Sequence, residues 1–166
     1  MFVLNRNYEV DKLISITKSN SGISGPELAR AHMRLGELLS HNMEFPADDT
    51  TVVAIMRGGI FFAEGLYFGL GCRFMTYDPK HEEFVCPQTK HVILVDSVIN
   101  TGKTIKEILK PTMTLACCVI NEKVVPLFDE QLFTVRVSAN SYIGSEVVKQ
   151  QGGVGPDTTM RLFNYI

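Results

Sequence analysis

One segment constrains this chain more than any other: His91-Val92-Ile93-Leu94-Val95-Asp96-Ser97-Val98-Ile99-Asn100-Thr101-Gly102-Lys103-Thr104. Val92 to Val95 is a short β-branched and aliphatic run, the pattern of a parallel strand covered on both faces. Asp96 is expected where that strand runs out, the edge at which open α/β sheets bind ligands. Asn100 to Thr104 is a polar loop with two hydroxyls and one glycine. It opens a helix through Ile105, Ile108 and Leu109 that stops near Pro111. Backbone N–H groups at a helix start, beside the positive end of its dipole, form an anion site. Capping uses the same residue types, so a plain strand-to-helix turn is the competing reading. A Walker A loop does not match, because its first glycine would fall at Ser97. A three-glycine dinucleotide fingerprint does not match either, since Gly102 stands alone.

The rest of the chain alternates strands and helices. Tyr8 to Thr17 carries Val10, Leu13, Ile14 and Ile16 at helical spacing, and Lys18 to Gly25 is a turn-rich linker. A second helix starts at Ser24-Gly25-Pro26-Glu27, with Pro and Glu suited to a first turn, and runs through Leu28, Ala31, Leu35, Leu38 and Leu39. Thr51 to Met56, Arg73 to Tyr77, Thr114 to Ile120 and Phe133 to Val137 read as further strands. A helix with Phe61, Phe62, Leu66, Phe68 and Leu70 lies between the first two. The expected fold class is α/β, a mostly parallel central sheet with helices on both faces and a small C-terminal hood or tail. At 166 residues one domain, 1–166, is expected.

Two other stretches carry chemistry. Arg57-Gly58-Gly59 ends a buried strand and opens a helix, where an arginine clamps an anion bidentately and glycines admit it to the backbone. A tight turn with an exposed Arg is the alternative. Gly153-Val154-Gly155-Pro156-Asp157-Thr158-Thr159-Met160-Arg161-Leu162-Phe163 is glycine-rich, but its apolar close calls for a docking surface.

A formal net charge of −2 argues against a nucleic-acid or membrane surface, so polyphosphate substrates need local features. No apolar run has spanning length and Met1 to Asn7 has no signal-peptide pattern, so a cytoplasmic protein is expected. Cys72, Cys86, Cys117 and Cys118 have no zinc spacing and read as reduced thiols, the last two as core residues. His32, His41 and His91 look like surface or element-end residues, and His81 lies in a polar loop. Side chains alone offer no metal cage.

The segment 91–104 resembles the phosphoribosyl-pyrophosphate (PRPP) loop of type I phosphoribosyltransferases: an aliphatic strand, an acid, a short apolar pair and a Thr-Gly loop. Most of that family has two adjacent acids. A single acid, Asp96, followed by Ser97 is similar to the uracil phosphoribosyltransferase branch. Val53 to Ile60 resembles that branch's pyrophosphate loop, in the same order along the chain. Residues 153–163 resemble its uracil-binding tail. The chain departs at Met160, where the branch has an acid, at Lys103, where it has a glycine, at Pro156, an insertion, and at Tyr77-Asp78, which lacks an intervening arginine.

The resemblance implies transfer of the phosphoribosyl group from PRPP to a nucleobase, uracil by this branch, releasing pyrophosphate. It assigns Asp96, Ser97, Asn100, Thr101, Gly102, Lys103 and Thr104 to PRPP, and Arg57, Gly58 and Gly59 to pyrophosphate. Tyr77 and Asp78 would open a lid reaching Lys90, and Gly155, Asp157 and Thr158 would meet the base. Mg²⁺ would come with PRPP, touching Asp96 at most, and a homodimer is implied. A PRPP- or nucleotide-binding sensor without turnover is the alternative of the same fold.

Overall fold

The computed structural model describes all residues, Met1 to Ile166. Six strands form one parallel sheet: β1 (Phe2–Val3), β2 (Thr50–Ile55), β3 (Arg73–Tyr77), β4 (His91–Ile99), β5 (Thr114–Asn121) and β6 (Leu132–Ser138), in the order β1-β6-β5-β4-β2-β3. The α/β class with helices on both faces is therefore observed. Central β4 and β5 read as continuous apolar runs because both of their faces are covered.

The two faces are unequal. One packs against α1 (Tyr8–Thr17), α2 (Gly25–Ser40) and α3 (Ile60–Leu70), with Ile14, Leu35, Leu39, Phe62 and Leu66 closing over Val52, Ile93 and Ala116. The other has one short helix, α4 (Lys103–Ile108), whose Ile105 and Ile108 join Val124 and Phe128 over Leu94, Leu115 and Leu132. Asn7 caps α1, its side chain accepting from the Val10 N–H at 2.9 Å.

The C-terminal hood consists of β7 (Ile143–Ser145) paired with β8 (Val154–Pro156), followed by α5 (Thr158–Leu162). Leu162 of α5 packs on Leu28 and Ala29 of α2, so the glycine-rich tail is docked. No helix is long and apolar enough to cross a membrane.

Strand edges expected from sequence hold to within a residue or two, with one consequential exception. Asp96 is not at the end of β4. The strand continues to Ile99, paired with β5 as far as Ile120. Pairing between β2 and β4 stops at Ala54 and Val95, and β2 itself ends one residue later. Asp96 thus faces an opening left by its neighbour rather than a strand terminus.

Candidate functional site

Where β2 stops, the chain turns through Met56, Arg57 and Gly58 into α3, and the Met56–Arg57 peptide is cis. The open stretch of β4 lies beside this turn. Ser97, buried to 1% exposure, donates its hydroxyl to the Gly58 carbonyl at 2.5 Å. The two loops singled out in the sequence are therefore joined directly. They form part of the wall of a cavity of about 1000 Å³.

Arg57, Gly58, Asp96, Ser97, Asn100 and Thr104 line that cavity. Asp78 lines it from the stretch after β3, and Asp157 and Thr158 from the hood. Nine sequence-predicted residues from four separate stretches thus converge.

Six others do not reach the lining. Gly59 is buried against β4: a Cβ there would lie 2.5 Å from the Val95 carbonyl oxygen, and its N–H is already donated to Ile55. It permits close packing of backbones rather than anion contact. Gly102 adopts φ +67° against the Phe128 ring, and so forms the turn into α4. Thr101 and Lys103 are exposed, and the Thr101 hydroxyl accepts from the Lys103 N–H at 3.4 Å. Tyr77 is a buried β3 residue packed edge-on to Phe84, not part of a lid. Gly155 is buried against the Tyr142 ring.

The lid itself is narrower than expected. Asp78 to His81 line the cavity, whereas the remainder is tethered: Phe84 packs on the core, Thr89 shares a hydrogen bond with Thr51, and the Lys90 N–H donates to Asp49. His81 Nδ1 lies 2.8 Å from Asp78 Oδ2. That partner, with the Lys80 N–H, holds the Asp78 carboxyl below the usual carboxylate range.

Asp96 is the opposite case. Burial pushes its pKa up to about 7, only partly offset by N–H groups of Ser97 and Val98, and no basic side chain contributes. A carboxyl with a raised pKa in a cavity is a candidate functional group. No group of three or more His, Cys, Asp or Glu side chains converges anywhere in the chain. The donor set fits Mg²⁺ only in the form in which that ion takes one carboxylate plus substrate phosphates.

Asp157 caps α5, its Oδ1 accepting from the Met160 N–H at 2.9 Å. Arg161 turns away from the cavity and is 4% exposed. Its guanidinium donates to the carbonyls of Thr17, Lys18 and Ile23 and to the Ser21 hydroxyl, at 2.8–3.3 Å. The tail is thereby locked onto the linker between α1 and α2. Phe163 stacks near Arg57, whose Cζ lies 5.4 Å from the ring centroid.

The sequence reading placed His32 at the surface or at an element end and passed over Arg136, and the structure differs at both. His32 is buried in α2 with both ring nitrogens unpartnered, and burial drives its pKa down to about 3. Its spacing with Leu28, Leu35 and Leu39 was the available signal. Arg136 lines the cavity from β6. A cation between two valines of a strand was the signal there. Cys117 and Cys118 are core residues as expected, and burial raises both thiols, Cys118 to about 12.

No family model and no curated protein matches this chain in sequence. Solved structures do match. The AQ2163 protein from Aquifex aeolicus is similar at 17% identity over 88% of this chain and 90% of that one, with a TM-score of 0.62. The TT1426 protein from Thermus thermophilus is similar at 12% identity over 81% of this chain and 97% of that one, with a TM-score of 0.54. Leishmania donovani UMP synthase is similar at 11% identity, with a TM-score of 0.55, over 82% of this chain but 37% of that one. At these identities the likeness is one of architecture, and it gives this chain the α/β fold of those three proteins.

Proposed function

We propose that this chain is a phosphoribosyltransferase, moving the 5-phosphoribosyl group of PRPP to a nucleobase, with uracil the first acceptor to test. The observation that carries this reading is the convergence of Arg57 and Gly58, Asp96 and Ser97, Asn100 and Thr104, and the hood residues Asp157 and Thr158 on one cavity. The resemblance of the same loops to the PRPP, pyrophosphate and base segments of the uracil branch supports it. So does a fold shared with a protein named for making UMP.

In this reading a ring nitrogen of the base attacks C1 of the ribose as the C1–O bond to pyrophosphate breaks. Charge develops on the departing oxygens and on the ribose ring, as in glycoside cleavage. Catalysis is then mainly positioning and charge stabilisation. Arg57 binds the departing pyrophosphate. Asn100 and Thr104 hold the 5′-phosphate end. Asp96 accepts from the ribose hydroxyls. Asp96 would be the side chain to hold a Mg²⁺ ion bound with PRPP, and such an ion would supply positive charge for the leaving pyrophosphate. The Asp78–His81 turn excludes water. A homodimer and a cytoplasmic location belong to the same proposal and rest on the resemblance and composition.

The second reading, a PRPP- or nucleotide-binding sensor, is favoured by Met160, which lines the cavity where the uracil branch has an acid. Mixing protein, Mg²⁺ and PRPP with each nucleobase in turn separates the two. Pyrophosphate release with one base establishes the transferase and its acceptor. PRPP binding with no release for any base establishes the sensor.

A further inference from the structure

Arg136 stands between Val135 and Val137 in β6, half-buried and facing the cavity. Its Nε–H is closed off from solvent and has no hydrogen-bond partner. No carboxylate forms an ion pair with it; the ion pairs of the chain involve the N-terminus, Arg6, Arg34 and His81. Arg136 and Arg161 together bear on His32, whose ring nitrogens are also unpartnered. Arg161 is held by carbonyls and a hydroxyl, not by an acid. Asn121 and Ser138, paired with each other beyond Arg136, are neutral. A guanidinium that lines a cavity with no carboxylate paired to it is placed to give charge-assisted hydrogen bonds to an oxyanion that docks there.

Sheet register places this cation. Arg136 is opposite Val119, which is opposite Val98. Arg136 therefore lies two strands from β4, while Arg57 leaves β2 on the other side of β4. The two guanidinium-bearing positions flank Asp96, about 14 Å apart across three strand spacings.

We propose that Arg136 anchors a second anion subsite, taking a carboxylate or phosphate group at the end of the ligand remote from Arg57. The choice of probes rests on the transferase reading; the subsite itself rests on the geometry of Arg136.

The test is equilibrium titration of the wild-type chain, Arg136→Gln and Arg136→Lys with inorganic phosphate, PRPP, uracil and 6-carboxyuracil at fixed ionic strength. Arg136→Gln is expected to lose at least about tenfold in affinity for one or more of the three anionic probes. Arg136→Lys is expected to retain part of that affinity, and uracil to bind the variants and the wild type alike. Loss for PRPP and phosphate identifies a phosphate as the occupant; loss confined to 6-carboxyuracil identifies the acceptor. Equal affinities for all three anions, or no binding of any of them to the wild type, overturn the subsite. If Arg136→Gln does not fold, the Nε–H resonance of Arg136 in the unaltered protein decides: a shift with one anion supports the subsite, and a signal unmoved by all three refutes it. Pyrophosphate release is scored separately. Its absence with every base defeats the transferase reading without deciding the role of Arg136.

Discussion

Ser97 ties β4 to the loop after β2 through a single hydrogen bond, its buried hydroxyl donating to the Gly58 carbonyl. A second acid at this position would place a carboxylate oxygen against that carbonyl. The non-acidic residue after Asp96 therefore has a local cause here. Ser97→Ala leaves the half-buried Gly58 carbonyl without its donor, at a cost of about 1 kcal/mol. Chemical denaturation should show that loss, and PRPP affinity should fall with it because the two loops are no longer held together. A variant as stable as the parent would remove the link from the account.

Asp96 predicts a pH dependence of the empty protein. Its native pKa is raised to about 7 by burial, against about 4 for an unfolded aspartate. Between those values the native state holds more protons than the unfolded state, so stability falls as pH rises from about 4 to about 7. Asp96→Asn should flatten that segment of the profile and raise the melting temperature at pH 8. The same substitution should weaken PRPP binding strongly. Stability that rises with pH through this interval in the parent but not in the variant would reverse the sign and reject the assignment.

Arg57 is exposed and unpaired apart from its contact with Phe163. Arg57→Ala should lower kcat by at least about tenfold, the scale of a charge-assisted hydrogen bond. The KM of the acceptor should change by less than about twofold. Steady-state kinetics with both substrates varied makes the comparison, and intact pyrophosphate release would show the loop misassigned.

Arg161→Met keeps the volume but strands the carbonyls of Thr17, Lys18 and Ile23. A loss of roughly 2–4 kcal/mol is expected. Acceptor selection should suffer more than PRPP binding, and truncation before Gly152 should have the same pattern in stronger form. A truncated chain that still chooses its base would remove the hood from the site.

Much of this was legible in the sequence because periodicity and punctuation are local. β3 was bounded correctly by Arg73 and Tyr77, and α1 by Tyr8 and Thr17. The two-residue β1 and the three-residue β7 are too short to carry a period, and exist only through their partners. Site residues divided along the same line. Arg57 and Asn100 reach the cavity because they follow strands that end at one edge, and Asp96 because β2 stops short of it. Gly59, Gly102 and Gly155 belonged to the right motifs but serve backbone packing, which depends on what lies opposite: Val95, Phe128 and Tyr142. Residue type alone does not separate a glycine that admits a ligand from one that admits a neighbouring strand or ring. Arg136 was missed and His32 misplaced at the surface because burial and the absence of partners are three-dimensional properties.

The Arg161 clamp has a kinetic side. Its hydrogen bonds span sequence separations of 138 to 144 residues, among the least local contacts a chain of this size can make. Entropy opposes closing so large a loop until the sheet and α2 exist to receive it. The hood is then the last part of the cavity wall to assemble and the first to be lost on partial opening. The edge that presents Arg57 and Asp96 does not depend on that closure, so in the proposed transferase the phosphate-binding half can outlive the half that selects the base.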